Sequence, residues 1–142
     1  ERRRAKDGSL ELKAGQRVFW SEGASVFNSN GIPQNKDSGL LQLNNGTVGR
    51  GGRRTFCVVD WDGDGIKDFL FNSAPNVNFF RGLGQRPDGC WAFRDMGPVS
   101  KHVLAGHATK PTTVDWDRDG VPELLIGAED GFFYSLRNPR AP

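Results

Sequence analysis

Four carboxylates recur at one spacing in two places in this chain. Asp60, Asp62, Asp64 and Asp68 stand at positions 1, 3, 5 and 9 of one stretch, and Asp115, Asp117, Asp119 and Glu123 repeat them at an offset of 55 residues. Gly65 and Gly120 hold position 6. Ionised oxygens on alternate residues of a tight turn can converge on one point, and a glycine there permits the left-handed backbone that the turn needs. The chemistry that such convergence serves is the binding of a hard cation, with the backbone carbonyls of position 7, Ile66 and Val121, as further oxygen ligands. The spacing predicts two calcium sites, each built from one loop.

The elements that flank these loops decide between two ways of building them. A helix-loop-helix calcium hand needs a bidentate Glu at position 12 and a helix on either side. Position 12 is Phe71 in the first copy and Ile126 in the second. The flanks Thr55-Phe56-Cys57-Val58-Val59 and Phe69-Leu70-Phe71 are short, rich in β-branched and aromatic residues, and bounded by turn residues, so they read as strands. Each loop therefore joins two strands. The repetition argues against a chance acidic turn, because the same spacing returns in the same strand context.

These residues resemble the FG-GAP and VCBS repeats, the calcium-loop β-propeller blades of integrin α subunits and of many secreted bacterial proteins. The likeness covers residues 54 to 138, where residues 127–138 look like the family's second-strand end, turn and third strand, and residues 72–82 form a looser copy. Glu123 departs from the usual Asp at position 9, which puts the affinity of the second site in question. The resemblance implies an all-β, partial β-propeller of two to three four-stranded antiparallel blades, with calcium loops between first and second strands. It also implies an extracellular or cell-surface location for an exported bacterial protein.

The blades are expected as follows. Residues 1–50 form a degenerate or partial blade and connecting segment, with strands at 17–20 and 40–43. Residues 51–106 form a blade with strands at 54–59, 67–72, 77–81 and 90–94. Residues 107–142 form a blade with strands at 111–114, 122–127 and 132–136 that lacks its outer strand. Closed propellers use four to eight blades. The expected partners are therefore further blades of the same polypeptide or other copies of the chain, and the sequence reads as trimmed or as part of something longer.

Composition narrows the function classes. With 36% hydrophobic residues, 19 Gly and 8 Pro among 142 residues, the chain fits one turn-rich all-β domain or part of one. A net charge of +2 without a basic helix gives no argument for nucleic acid. No apolar run reaches the ~18 residues of a membrane span, so no membrane insertion is expected. Cys57 and Cys90 fall on the first and fourth strands of one blade, ~14 Å apart at ~4.8 Å per strand, beyond bridging distance; two free thiols are expected. Asn45-Gly46-Thr47 matches a glycosylation acceptor but reads more simply as an Asn-Gly turn.

No nucleophile elbow, phosphate loop or zinc-protease motif is present, and no catalytic residue is assigned; His102 and His107 are lone histidines in glycine-containing loops. The face opposite the calcium loops should gather Arg53, Arg54, His107 and Lys110 with Asn76, Glu129 and Asp130. In integrin-like propellers that face is the recognition face, and its cations would suit an acidic polysaccharide through paired guanidinium contacts. The function expected is a calcium-stabilised module for binding or display. A polysaccharide-degrading enzyme on a propeller scaffold and a purely structural subunit are the alternatives.

Overall fold

The computed structural model describes residues 2–12, 18–23, 38–41, 55–73, 76–102 and 110–140. Among them every regular element is a strand. The first sheet is built on a four-stranded antiparallel meander, β5 (Phe56–Val59), β6 (Asp68–Ser73), β7 (Asn76–Gln85) and β8 (Trp91–Pro98). Beyond β8 the sheet continues through β3 (Phe19–Ser21), paired parallel to it, and β4 (Gly39–Leu40), giving the order β4-β3-β8-β7-β6-β5. A second sheet has the order β11-β10-β9, with β9 at Lys110–Val114, β10 at Glu123–Gly127 and β11 at Phe133–Leu136. A separate hairpin pairs β1 (Arg2–Arg4) with β2 (Leu10–Leu12) across an Asp7-Gly8 turn.

Strand alternation explains why the two sheets meet. In β6 the residues Phe69 and Phe71 point to one side and Leu70 to the other, as period 2 requires, and all three are buried. Leu70 joins Trp61 and Val77 in a cluster with Leu124 and Ile126 of the second sheet, edged by Cys57, Val59, Phe79, Val99, Tyr134 and Leu136. This is the core between the sheets. The Cys57 sulfur and the Thr113 hydroxyl lie 3.3 Å apart across it. On the far side, Phe69, Phe71, Phe80 and Phe93 form a second cluster covered by Phe19 and Leu41. There the Phe69 and Phe93 rings stack at 4.2 Å, and Phe19 sets its edge against Phe69 at 5.1 Å.

Several expected strands lie within two residues of their observed bounds, whereas β7 and β8 run well past their expected ends. Register shifts between Asn78 and Phe80 and between Gly82 and Gly84 keep the long pair hydrogen-bonded, as bulges do. Both cysteines are free thiols; Cys57 is on β5, while Cys90 sits in the turn before β8.

Candidate metal centre

Register places the two acidic loops at the same end of the molecule. Val59 pairs with Asp68 where β5 passes into β6, and Val114 pairs with Glu123 where β9 passes into β10. Each loop thus springs from the closing pair of its hairpin, and β5 and β9 are neighbours.

Within each loop the carboxylates at positions 1, 3 and 5 converge. One oxygen from each of Asp60, Asp62 and Asp64 lies within 4.8 Å of the others, and the same is true of Asp115, Asp117 and Asp119. The backbone folds onto these side chains in matching fashion. Gly65 N–H donates to Asp60 and Gly120 N–H to Asp115, both at 3.1 Å. Asp64 N–H donates to Asp62 at 3.2 Å and Asp119 N–H to Asp117 at 3.4 Å. Ile66 N–H donates to Asp64 at 2.8 Å and Val121 N–H to Asp119 at 2.7 Å. Gly65 and Gly120 have φ of 87° and 84°, the left-handed backbone for which position 6 needs glycine.

Position 9 serves the base of the loop. Asp68 is fully buried, and its two oxygens accept Trp61 N–H at 2.7 Å, Gly82 N–H at 2.7 Å and Asp62 N–H at 3.4 Å. Burial raises its pKa, and the amides of Gly82 and Trp61 pull against that shift by favouring the charged form. Glu123 reproduces the first of these contacts, accepting Trp116 N–H at 2.8 Å. The longer side chain of Glu123 therefore still closes its loop.

Arg81 of β7 lies beside the first triad, with Nε 2.7 Å from Asp62 and Nη2 3.0 Å from Asp64. The Ile66 amide, followed by this guanidinium, holds Asp64 below the usual carboxylate range. From the chain's end, Arg140 donates to the carbonyls of Trp61 at 2.7 Å and Asp60 at 3.1 Å. Buried Asn138 donates to Trp61 C=O at 3.0 Å and Pro122 C=O at 3.1 Å, tying the two loop regions together. Among the described residues no cationic side chain pairs with the second triad.

The structure thus brings Asp60, Asp62 and Asp64 together, and likewise Asp115, Asp117 and Asp119; Asp68 and Glu123 fall outside these clusters and sit at the loop bases, where they accept backbone amides. Sequence reasoning missed Arg81, Asn138 and Arg140, which reach the loops from 14 or more positions away. Of the expected recognition face, Arg53, Arg54 and His107, and the side chain of Asn76, lie outside the described residues. Lys110, Glu129 and Asp130 are exposed at the strand ends opposite the acidic loops, where Lys110 and Phe133 both pair with Gly127. Asp130 accepts the Tyr134 hydroxyl, which with the Phe132 amide lowers its pKa.

Residues 60–126 match the family described as FG-GAP-like repeat. That stretch begins on the first carboxylate of the first loop, Asp60, and ends in β10, so it contains both triads. The match supports the FG-GAP family and with it a β-propeller-like module, in agreement with a structure that is all β among its described residues. Comparison with curated proteins and with solved structures gave no match.

Proposed function

We propose that this chain is a calcium-stabilised β-propeller module that works outside the cell, where it binds or displays a partner. The observation that carries the reading is the doubled loop: two carboxylate triads with the same amide pattern, at the same end of two sheets that share a core. Oxygens held within 4.8 Å of one another fit one ion with ligands at ~2.4 Å. Three carboxylates so close repel each other unless a cation sits among them. Asp60, Asp62 and Asp64 would hold one ion and Asp115, Asp117 and Asp119 a second, with Ile66, Asp68, Val121 and Glu123 completing the shells as the spacing predicts. The ion supplies a cross-link over each loop; Asp68 and Glu123 keep the loop base in place through the amides of Trp61 and Trp116.

FG-GAP repeats are typically extracellular, and calcium sites of ~10⁻⁴ to 10⁻³ M suffice there. No helix among the described residues is long and apolar enough to cross a membrane. A partner would meet the end opposite the loops. Its described residues, Lys110, Glu129 and Asp130, form a mixed surface, so recognition of acidic glycans rests on Arg53, Arg54 and His107. Titration calorimetry with calcium and magnesium, combined with elemental analysis, tests the metal reading. We expect calcium to bind and magnesium to bind far less, because magnesium demands a near-ideal octahedron. A chain that takes up no calcium and melts identically in chelator removes the reading.

A further inference from the structure

Backbone amides take four of the six carboxylate oxygens in the first triad. Asp60 accepts Gly63 N–H at 2.8 Å on one oxygen and Gly65 N–H at 3.1 Å on the other. Asp62 Oδ1 accepts Asp64 N–H, and Asp64 Oδ1 accepts Ile66 N–H. The Oδ2 atoms of Asp62 and Asp64 are the two that no amide among the described residues holds, so they are the ones open to an incoming ion. One side chain reaches both. Arg81 sets Nε 2.7 Å from the Asp62 oxygen and Nη2 3.0 Å from the Asp64 oxygen.

The fold gives this side chain a fixed starting point. A surface arginine usually swings among rotamers, and its ion pairs then contribute little. Gly82, the next residue, donates its N–H to buried Asp68 at 2.7 Å, and a Cβ on Gly82 would run into the Lys67 carbonyl. Strand β7 therefore lies directly against the base of the loop, and the Arg81 Nε is shielded from solvent. A guanidinium fork can span two carboxylates with separate N–H groups, which a point-like ammonium cannot do as well.

We propose that Arg81 is a tethered counter-ion for the first metal site: it neutralises Asp62 and Asp64 when calcium is scarce, and calcium displaces it. The proposal rests on the calcium reading above and adds to it the residue that sets the affinity of the site. Two cations repel each other over the same oxygens, so calcium entry must break both Arg81 contacts. Arg81 thereby weakens calcium binding at the first loop and keeps that loop folded in the metal-free chain. Because the contact belongs to the metal-free form alone, removing it lowers the stability of that form by the amount that it raises calcium affinity.

Calorimetric titration of calcium into the chain and into Arg81→Gln, both in an Asp117→Ala background that silences the second triad, tests this. Arg81→Gln should bind calcium about tenfold more tightly, equivalent to ~1.4 kcal/mol. In chelator it should melt a few degrees lower than the protein with Arg81, and the gap should close in excess calcium. A second readout needs no substitution: by NMR, the Arg81 Nε proton should exchange slowly with water in chelator and as fast as a solvated arginine once calcium is added. Equal or weaker calcium binding by Arg81→Gln overturns the proposal, as does a melting gap that persists in calcium or an Nε proton that calcium leaves unchanged. A chain that binds no calcium with either side chain defeats the metal reading and this proposal with it. Calcium bound equally well with either side chain defeats the role of Arg81 alone.

Discussion

The two acidic loops share a sequence pattern and an amide pattern but differ in what lies over them. Above the first loop, Asn138 and Arg140 bond its carbonyls, Arg81 flanks its carboxylates, and Trp61 is only 5% exposed. In the second loop all three triad residues are exposed and Trp116 stands in solvent. Shared local sequence therefore sets the loop's internal folding, whereas its setting comes from the neighbours that the rest of the chain supplies. The first loop contributes Trp61 to the core between the sheets; the second is anchored mainly at its base, by Glu123.

The largest effect expected from this difference is on calcium-linked stability. A bound ion contributes RT ln(1 + [L]/Kd), about 2.7 kcal/mol per site at a hundredfold excess over Kd, so chelation should remove roughly 5 kcal/mol from a chain with both sites filled. Asp62→Ala should cost more than Asp117→Ala, because relaxing the first loop also loosens Trp61 in the core. Thermal melts of both variants with and without calcium measure this. Equal losses would break the comparison and make the two loops independent ornaments on the sheets.

A second effect belongs to the fourth strand, β8, which extends the first sheet. Asp95 is 7% exposed, and burial pushes its pKa up to about 7 against the opposing hydrogen bonds from Gly97 N–H and the Asn78 side chain. Between pH 4 and 7 the folded protein keeps a proton that the unfolded chain has lost. The unfolded state then binds fewer protons, so this group's contribution to stability falls as pH rises through that window and levels off above it. Three pH units correspond to at most about 4 kcal/mol. Asp95→Asn keeps the acceptor oxygen for Gly97 and should outlast the wild type in urea at pH 8, with the gap closing toward pH 4. A gap independent of pH would mean that Asp95 is charged throughout.

Asn138 offers a sharper cut, because one side chain serves both loop regions. Asn138→Ala removes the bonds to Trp61 C=O and Pro122 C=O and the one its amide oxygen accepts from Arg140 N–H, each worth about 1 kcal/mol net, so a loss of about 3 kcal/mol is expected in denaturant melts. Its calcium response should weaken more at the first loop than at the second, which the same substitution in an Asp117→Ala background would isolate. No change in stability would leave the C-terminal residues without a role in holding the loops.

What the sequence made legible follows from distance along the chain. The triads, the position-6 glycines and the strands around them depend on contacts within about a dozen residues, so the sequence pattern carries them directly. The spacing makes position 9 an expected ligand, and its bonds to the Trp61 and Trp116 amides add a role in closing the loop. The strand expected at 77–81 stops short of the observed β7, where bulges carry Gly82 and Gly84 within a ten-residue strand and the turn comes at Arg86–Gly89. Asp7-Gly8 is a hairpin signal for β1 and β2 that lies outside the expected strands. Arg81, Asn138, Arg140 and the parallel pairing of β3 with β8 had no local signature, since each depends on chain segments that only the fold brings together.

The smallest expected effect tests the loops at position 4, where they differ in backbone chemistry. Gly63 has φ of 78° in the first loop, and Arg118 holds φ of 63° in the second. Left-handed backbone costs a residue with a Cβ about 1 kcal/mol or more, and a glycine gives back part of that gain through its freer unfolded state. Arg118→Gly should therefore stabilise the chain by roughly 0.5 kcal/mol, a shift of a few degrees in melting temperature at most. Gly63→Ala should do the reverse and lose more, because a Cβ there would displace the Arg140 guanidinium from the Trp61 and Asp60 carbonyls that it bonds. Arg118 is exposed, so its replacement meets no such neighbour. If Gly63→Ala costs no more than Arg118→Gly gains, the cover over the first loop contributes nothing to its stability.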